Sequence, residues 1–304
     1  MIDMKVKIAG IELRNPVVTA SGTFGFAEEY GMYMDLAAIG GVTLKALTKE
    51  VRNGNPPVRI AETASGILNA VGLQNPGVDG FLETIYPRIK AIDTVKIANI
   101  AGASIEDYVY VAQRLNNTEI DLYEVNVSCP NVKHGGVNFG TDAVTLTNVV
   151  RSVKDVAKKP VIVKLTPNVT SVAQMARAAA EGGADALSLI NTLTGMAINA
   201  HTRKPLIANV TGGLSGPAVK PVALRMVWEV YRAGLGLPII GMGGIMTGMD
   251  AAEFMIAGAD AVMVGSATIR DPGASQRIAE ELEQFGNKEG LKKISELTGT
   301  LQVG

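Results

Sequence analysis

Hydrophobic residues in this chain gather in short runs that end on Gly, Asn, Ser or Thr and give way to stretches with helical periodicity. Eight runs stand out: Pro16–Ala20, Gly41–Ala46, Lys96–Ala101, Leu122–Ser128, Val161–Leu165, Ala186–Asn191, Pro238–Gly243 and Ala261–Gly265. Runs such as VIVKL and AVMVG are apolar on both faces, the pattern of parallel strands covered on two sides. Between them, Ser171–Asp185 reads as a helix that Ser171 N-caps and Gly182–Gly183 closes. Met249–Asp260 repeats that design, with apolar positions three and four apart. Eight buried strands alternating with helices predict an α/β fold, a closed (β/α)8 TIM barrel rather than an open sheet. Ahead of it, VKIAGIELRNP predicts an N-terminal β-hairpin turning at Ala9–Gly10. Val51–Gly80 reads mostly as loop, and so long a loop in a compact domain usually carries function.

The composition agrees with one large core. A length of 304 residues allows two domains, but no Pro/Ser-rich linker divides the chain, and a barrel takes about 250 residues or more. Hydrophobic residues make up 47% and charged residues 19%, which argues against disorder. Lys and Arg number 28 against 29 Asp and Glu, so no basic stripe exists to meet a phosphate backbone and no nucleic-acid partner is expected. The one cysteine, Cys129, excludes an intramolecular disulfide, an iron–sulfur cluster and a Cys-rich zinc site. His134 and His201 stand far apart in no ligand spacing, so no metal is expected. The first residues hold no apolar stretch of signal-peptide length, and no run nears the ~18 apolar residues of a membrane span. A cytoplasmic protein without membrane association is the expectation.

Barrel chemistry sits at the C-terminal ends of the strands. Those ends carry Ser21, Lys45, Ala46, Asn99, Asn126, Cys129, Asn131, Lys164, Asn191, Thr192, Gly243, Gly244, Gly265 and Ser266. The set is rich in amides and small residues, has two lysines, and is poor in carboxylates. It does not suit the paired acids of a glycosidase or a Ser–His–Asp arrangement. A flat, polar, partly anionic ligand suits it better. GMGGIMTG (Gly241–Gly248), VGSATIR (Val264–Arg270) and GLSGP (Gly213–Pro217) offer backbone N–H groups for a phosphate, unless their glycines only make tight turns. Neither a P-loop nor a dinucleotide fingerprint is present, since Met246 fills the last glycine position. Lys164 and Lys45 interrupt apolar runs, and an isolated buried ammonium is costly. Lys164 is therefore either a Schiff-base nucleophile or a fixed charge facing a developing anion. Cys129 is either a small buried hydrophobe or, beside a cation, a base. His134 reads as a loop residue near the substrate.

Nine stretches in order resemble the dihydroorotate dehydrogenase family over essentially the whole chain: NPVVTASGTFG, LKALTKEVRNGNPPVR, GILNAVGLQNPG, VNVSCPNVKHGG, VKLTPN, LINTLTG, GGLSGPAVKPVAL, IIGMGGI and VGSA. Cysteine at 129 resembles class 1, and NVKHGG, INTLTG and HTRKPLIANVTGG resemble class 1B, the NAD-linked type. The resemblance implies a single FMN-binding barrel domain over 1–304, one FMN per chain, and oxidation of dihydroorotate to orotate in pyrimidine biosynthesis. It implies FMN contacts at Ser21, Lys45, Ala46, Asn99, Asn126, Lys164, Ile190, Gly216, Gly243, Gly244, Gly265 and Ser266, the last four holding the phosphate. Lys164 would stabilise the anionic reduced flavin. Lys45, Asn69, Ala70, Val71, Gly72, Leu73, Asn126, Asn131, Asn191 and Thr192 would hold the substrate, with Cys129 as general base. It also implies a homodimer, and a partner subunit bearing FAD and [2Fe–2S] that completes a heterotetramer and passes electrons to NAD. A fumarate-linked class 1A enzyme, a flavin-free aldolase using Lys164, and a non-catalytic nucleotide-binding barrel are the other readings.

Overall fold

The computed structural model describes residues 2–128 and 139–303. All eight runs form strands: β1 Val17–Thr19, β2 Gly41–Thr43, β3 Val95–Ile100, β4 Leu122–Asn126, β5 Val161–Lys164, β6 Ala186–Leu189, β7 Ile239–Met242 and β8 Ala261–Val264. They pair in parallel in chain order, and β8 closes on β1 through Val262↔Val17, Met263↔Val18 and Val264↔Thr19. The apolar runs extend past the strands at their C-terminal ends. Ala20, Lys45, Ala46 and Ser128 have left the ladder there and form the rim.

Helices α1 Gly77–Thr84, α2 Ile105–Leu115, α3 Ala143–Lys154, α4 Val172–Glu181, α5 Lys220–Arg232, α6 Gly248–Ile256 and α7 Ala274–Lys288 pack around the barrel. Four of them start at a polar residue that caps the first turn. Ser104 accepts from Asp107 N, Asp142 from Thr145 N, and Ser171, as expected, from Gln174 N. Thr247 and Asp250 cap α6 reciprocally. Such caps contribute about 1 kcal/mol each.

A clasp repeats at the lower, N-terminal end of the barrel. Asp121, Asp185 and Asp260 immediately precede β4, β6 and β8. Their backbone N–H groups donate to the carbonyls of Lys96, Val161 and Ile239. Their carboxylates accept from the N–H groups of those same residues at 2.8, 2.7 and 2.9 Å. The entry of each preceding strand is thus satisfied by one aspartate. Burial pushes the Asp260 carboxyl above the usual carboxylate range.

The hairpin Val6–Ile8/Ile11–Leu13 forms as expected. Ala9 and Gly10 both have positive φ, 49° and 85°, which matches the tight turn favoured by strand twist. Ile8 and Leu13 are fully buried and fix the hairpin to the core.

Val51–Gly80 departs from expectation. Ile60–Thr63 and Gly66–Asn69 form a hairpin there, joined to Thr211–Ser215 and Leu193–Met196 in a four-stranded antiparallel sheet. The reason the pattern hid it is physical. These strands are largely half-exposed, three of the four carry glycine, and Ile67 pairs with Ser215, 148 positions away, so no local periodicity marks them. Among the described residues no helix is long and apolar enough to cross a membrane.

Candidate active site

The barrel interior just below the upper rim is polar. Glu124, fully buried on β4, accepts from Asn99 Nδ2 of β3 at 2.5 Å and from Ser188 Oγ of β6 at 2.7 Å. Lys164 Nζ of β5 lies 3.8 Å from its Oε2. Contact with β3, β5 and β6 at once is possible only from inside the barrel. Asn99 commits its amide nitrogen to Glu124, which leaves Oδ1 for another donor. That oxygen and Thr43 Oγ1 are buried and have no hydrogen-bond partner among the described residues. A buried polar atom left unanswered costs about 1–3 kcal/mol; Ser275 Oγ in α7 is a third such atom, but only these two lie on barrel strands close to their C-terminal ends, where a ligand can answer them.

Glycines surround this polar floor. Gly243 has φ +132° and Gly244 φ +78°, and a Cβ on Gly244 would stand 2.7 Å from Gly216 O. The loops after β7 and before α5 therefore meet backbone to backbone. Gly265 differs. Its φ is ordinary, and an added Cβ would find only Ala20 Cβ at 3.5 Å and Thr23 Oγ1 at 3.9 Å. Nothing in the protein's own packing requires glycine there, which is what a cradle for a bound group looks like. Ser266 follows it, and Ser21 lies beyond Ala20, whose N–H bonds Val264 O. Ile190, buried at the end of β6, donates its N–H to Met242 O.

The accessory sheet brings the other expected residues to the same mouth. Asn69 Nδ2 donates to Gly213 O at 3.2 Å, and a Cβ on Gly213 would collide with Thr192 Oγ1. Asn191 Nδ2 reaches Asn126 Oδ1 at 3.3 Å, and Asn126 Oδ1 also takes Ser128 N. Ala70 and Val71 are tied to Asn55, whose Nδ2 donates to Ala70 O and whose N–H donates to Val71 O. Gly72 and Leu73 both turn with positive φ, 79° and 56°. Lys45 stands across from them, its Nζ 3.9 Å from where a Cβ on Gly22 would be. Burial, with Arg59 adding like-charge repulsion, holds its ammonium below the ordinary lysine range.

Two unanswered acceptors and two ammonium groups beneath a glycine rim suit a planar ring of alternating donors and acceptors that ends in a phosphate. Among the described residues, the expected side chains and glycines lie on the barrel strands' C-terminal ends and the loops that follow them. Cys129, Asn131 and His134 lie outside the described residues; Ser128, just before them, stands over β5 with Oγ 3.5 Å from Lys164 O. Sequence reasoning missed Glu124, Ser188 and Thr43. The rule that singled out Lys164, a charge inside an apolar strand, applies equally to Glu124 in LYEVN and would have found it. Among the described residues no group of three or more His, Cys, Asp or Glu gathers to hold a metal.

A family profile described as Dihydroorotate dehydrogenase matches residues 3–285. The chain belongs to the dihydroorotate dehydrogenase family. Within that family it is 55% identical to the "Dihydroorotate dehydrogenase B (NAD(+)), catalytic subunit" of Geobacter metallireducens over 99% of each chain. It is 51% identical to the protein of the same name from Bacteroides thetaiotaomicron, over the full length of both. Among solved structures, DHODH of Eimeria tenella in complex with ferulenol aligns with a TM-score of 0.81 and 25% identity, covering 98% of this chain and 88% of that one. The solved structure thus shares its barrel, and the first two relatives match its whole length.

Proposed function

We infer that the chain is the catalytic subunit of an NAD-linked dihydroorotate dehydrogenase, a cytoplasmic protein whose single domain, 1–304, holds one FMN. It oxidises dihydroorotate to orotate in pyrimidine biosynthesis. The observation that carries this reading is the pair of buried acceptors, Asn99 Oδ1 and Thr43 Oγ1, left without partners under the glycine rim. FMN supplies the hydride acceptor when bound. Gly243, Gly244, Gly265 and Ser266 hold its phosphate through backbone N–H groups, with Gly216 beside them. Asn99 would accept from the flavin ring, Lys164 would offset the charge it gains, and Ser21, Lys45, Ala46, Asn126 and Ile190 would complete the bed.

Lys45 and the amides of Asn69, Asn126, Asn131 and Asn191 hold the substrate ring and its carboxylate, with Thr192 and the turn Ala70–Leu73 closing over it. Cys129 removes the proton from carbon 5 while the hydrogen on carbon 6 departs as hydride. The chain's share is to fix that geometry, the part of the barrier that positioning removes. Glu124 faces the Lys164 ammonium, which suits a fixed charge and disfavours the Schiff-base alternative.

A chain with one cysteine cannot supply the four thiolates that hold a [2Fe–2S] cluster. FAD and [2Fe–2S] therefore belong to a partner subunit, and a homodimer of this chain carries two partners in a heterotetramer. The test is spectroscopic. The purified chain should be yellow, bleach anaerobically with dihydroorotate, and reduce dyes but not NAD until the partner is added. A colourless protein, or a borohydride-trapped adduct on Lys164, would defeat the reading, and rapid turnover with fumarate would move it to class 1A.

A further inference from the structure

The rim residues account for binding, but the carboxylate beneath them has no role in holding substrate or phosphate. Glu124 is fully buried, and the donors around it converge on both oxygens: Ser188 Oγ on Oε1, Asn99 Nδ2 on Oε2, with Lys164 Nζ 3.8 Å from the latter. Lys164 is itself buried and makes no hydrogen bond from Nζ to any described residue. Its one described electrostatic partner is Glu124. The barrel thus sets one buried negative charge directly beside the Lys164 ammonium.

We propose that Glu124 is a positioning residue that sets the redox potential of the bound flavin: it cancels part of the Lys164 charge and holds the Asn99 amide nitrogen, leaving Oδ1 free to accept. This rests on the FMN reading above. Hydride transfer brings two electrons and one proton, so the ring gains one negative charge on reduction. A bare Lys164 ammonium would favour that reduced state strongly. The carboxylate beside it offsets the preference and keeps the potential low. A low potential is what an enzyme must have if its electrons are to go on to NAD. Burial matters here, because charges in a water-poor interior interact more strongly than at a surface.

Glu124→Gln isolates the charge. The glutamine oxygen still accepts from Asn99, and its nitrogen can donate to the Ser188 hydroxyl, which accepts as readily as it donates. The FMN-loaded variant should bind reduced flavin at least tenfold more tightly relative to oxidised flavin, a rise of about 30 mV in the two-electron midpoint potential. Equilibration with reference dyes reads this directly, independently of turnover. Glu124→Asp keeps the charge and should return the potential toward wild type. An unmoved potential in Glu124→Gln overturns the proposal. Equal shifts in both variants overturn it too, because geometry rather than charge would then be responsible. If Glu124→Gln alone does not fold, Lys164→Gln with and without Glu124→Gln, both reconstituted with FMN, carries the same comparison. The double variant should have the higher potential, and equal potentials would refute the role. A wild-type chain that takes up no FMN would instead defeat the functional reading itself.

Discussion

At the lower end of the barrel, Lys96, Val161 and Ile239 have both backbone groups answered by a single aspartate each. At the upper end, Asn99 Oδ1 and Thr43 Oγ1 are buried with no partner among the described residues. The same eight strands run between them. One end has been closed by its own side chains and contributes stability. The other carries unanswered polarity, a close backbone approach at Gly244, and two ammonium groups held together by a rigid frame. The lesson is a division of labour along each strand: where the protein satisfies itself, substitution should cost folding, and where it does not, substitution should cost chemistry.

The largest expected effect tests the upper end. Cys129→Ser should slow flavin reduction by dihydroorotate ~10²–10⁴-fold, the usual range for losing a general base, while melting temperature and FMN content stay at wild-type values. Wild-type rates in single-turnover absorbance traces would remove Cys129 from the mechanism. The complementary substitution lies below. Asp185→Ala leaves Val161 N without its acceptor and Lys154 without its 2.6 Å partner. The loss should be about 1–3 kcal/mol in urea unfolding, with turnover per folded molecule unchanged. A drop in turnover without a stability loss would break the comparison.

Gly265→Ala sharpens it. The methyl group fits the protein without strain, so apo stability should hold, yet FMN affinity should fall about tenfold, or ~1.4 kcal/mol, by fluorescence titration. Loss of stability instead would mean that the cradle is ordinary packing. The smallest effect is on pH. Lys45 titrates below the ordinary lysine value because it is buried and near Arg59. Only the protonated amine attracts an anion, so orotate affinity should begin to weaken on the alkaline side below pH ~10.4, the unperturbed value. Flavin-difference titrations should show this slope in wild type and not in Lys45→Arg, whose guanidinium stays charged.

How much of this was legible beforehand depends on how local the cause is. The eight strands, the Ala9–Gly10 turn and the Ser171 cap follow from neighbours within a few positions, and each forms where the pattern places it. The accessory sheet does not, because Gly66–Asn69 becomes a strand only by pairing with Thr211–Ser215. Most of the rim was legible because strand ends have a known address in this fold. Glu124 is not marked by its position, because it sits two residues before a strand end and not at one. The spacing from Glu124 to Asn126, two positions on one strand, puts both on the inner face, so the missing partner of Lys164 was readable too.

That sheet has a consequence for exchanging parts between relatives. Its four strands pair with one another and not with the barrel; two come from the segment after β2 and two from the segment after β6. Transplanting either half alone would leave Gly66–Asn69 or Thr211–Ser215 as a bare edge, ready to recruit strands from another molecule. Moved together, the two halves form a cassette held to the host by few bonds beyond the chain itself, such as Thr194 N–H to Asn168 Oδ1 at 2.9 Å, and Asn69 travels with it.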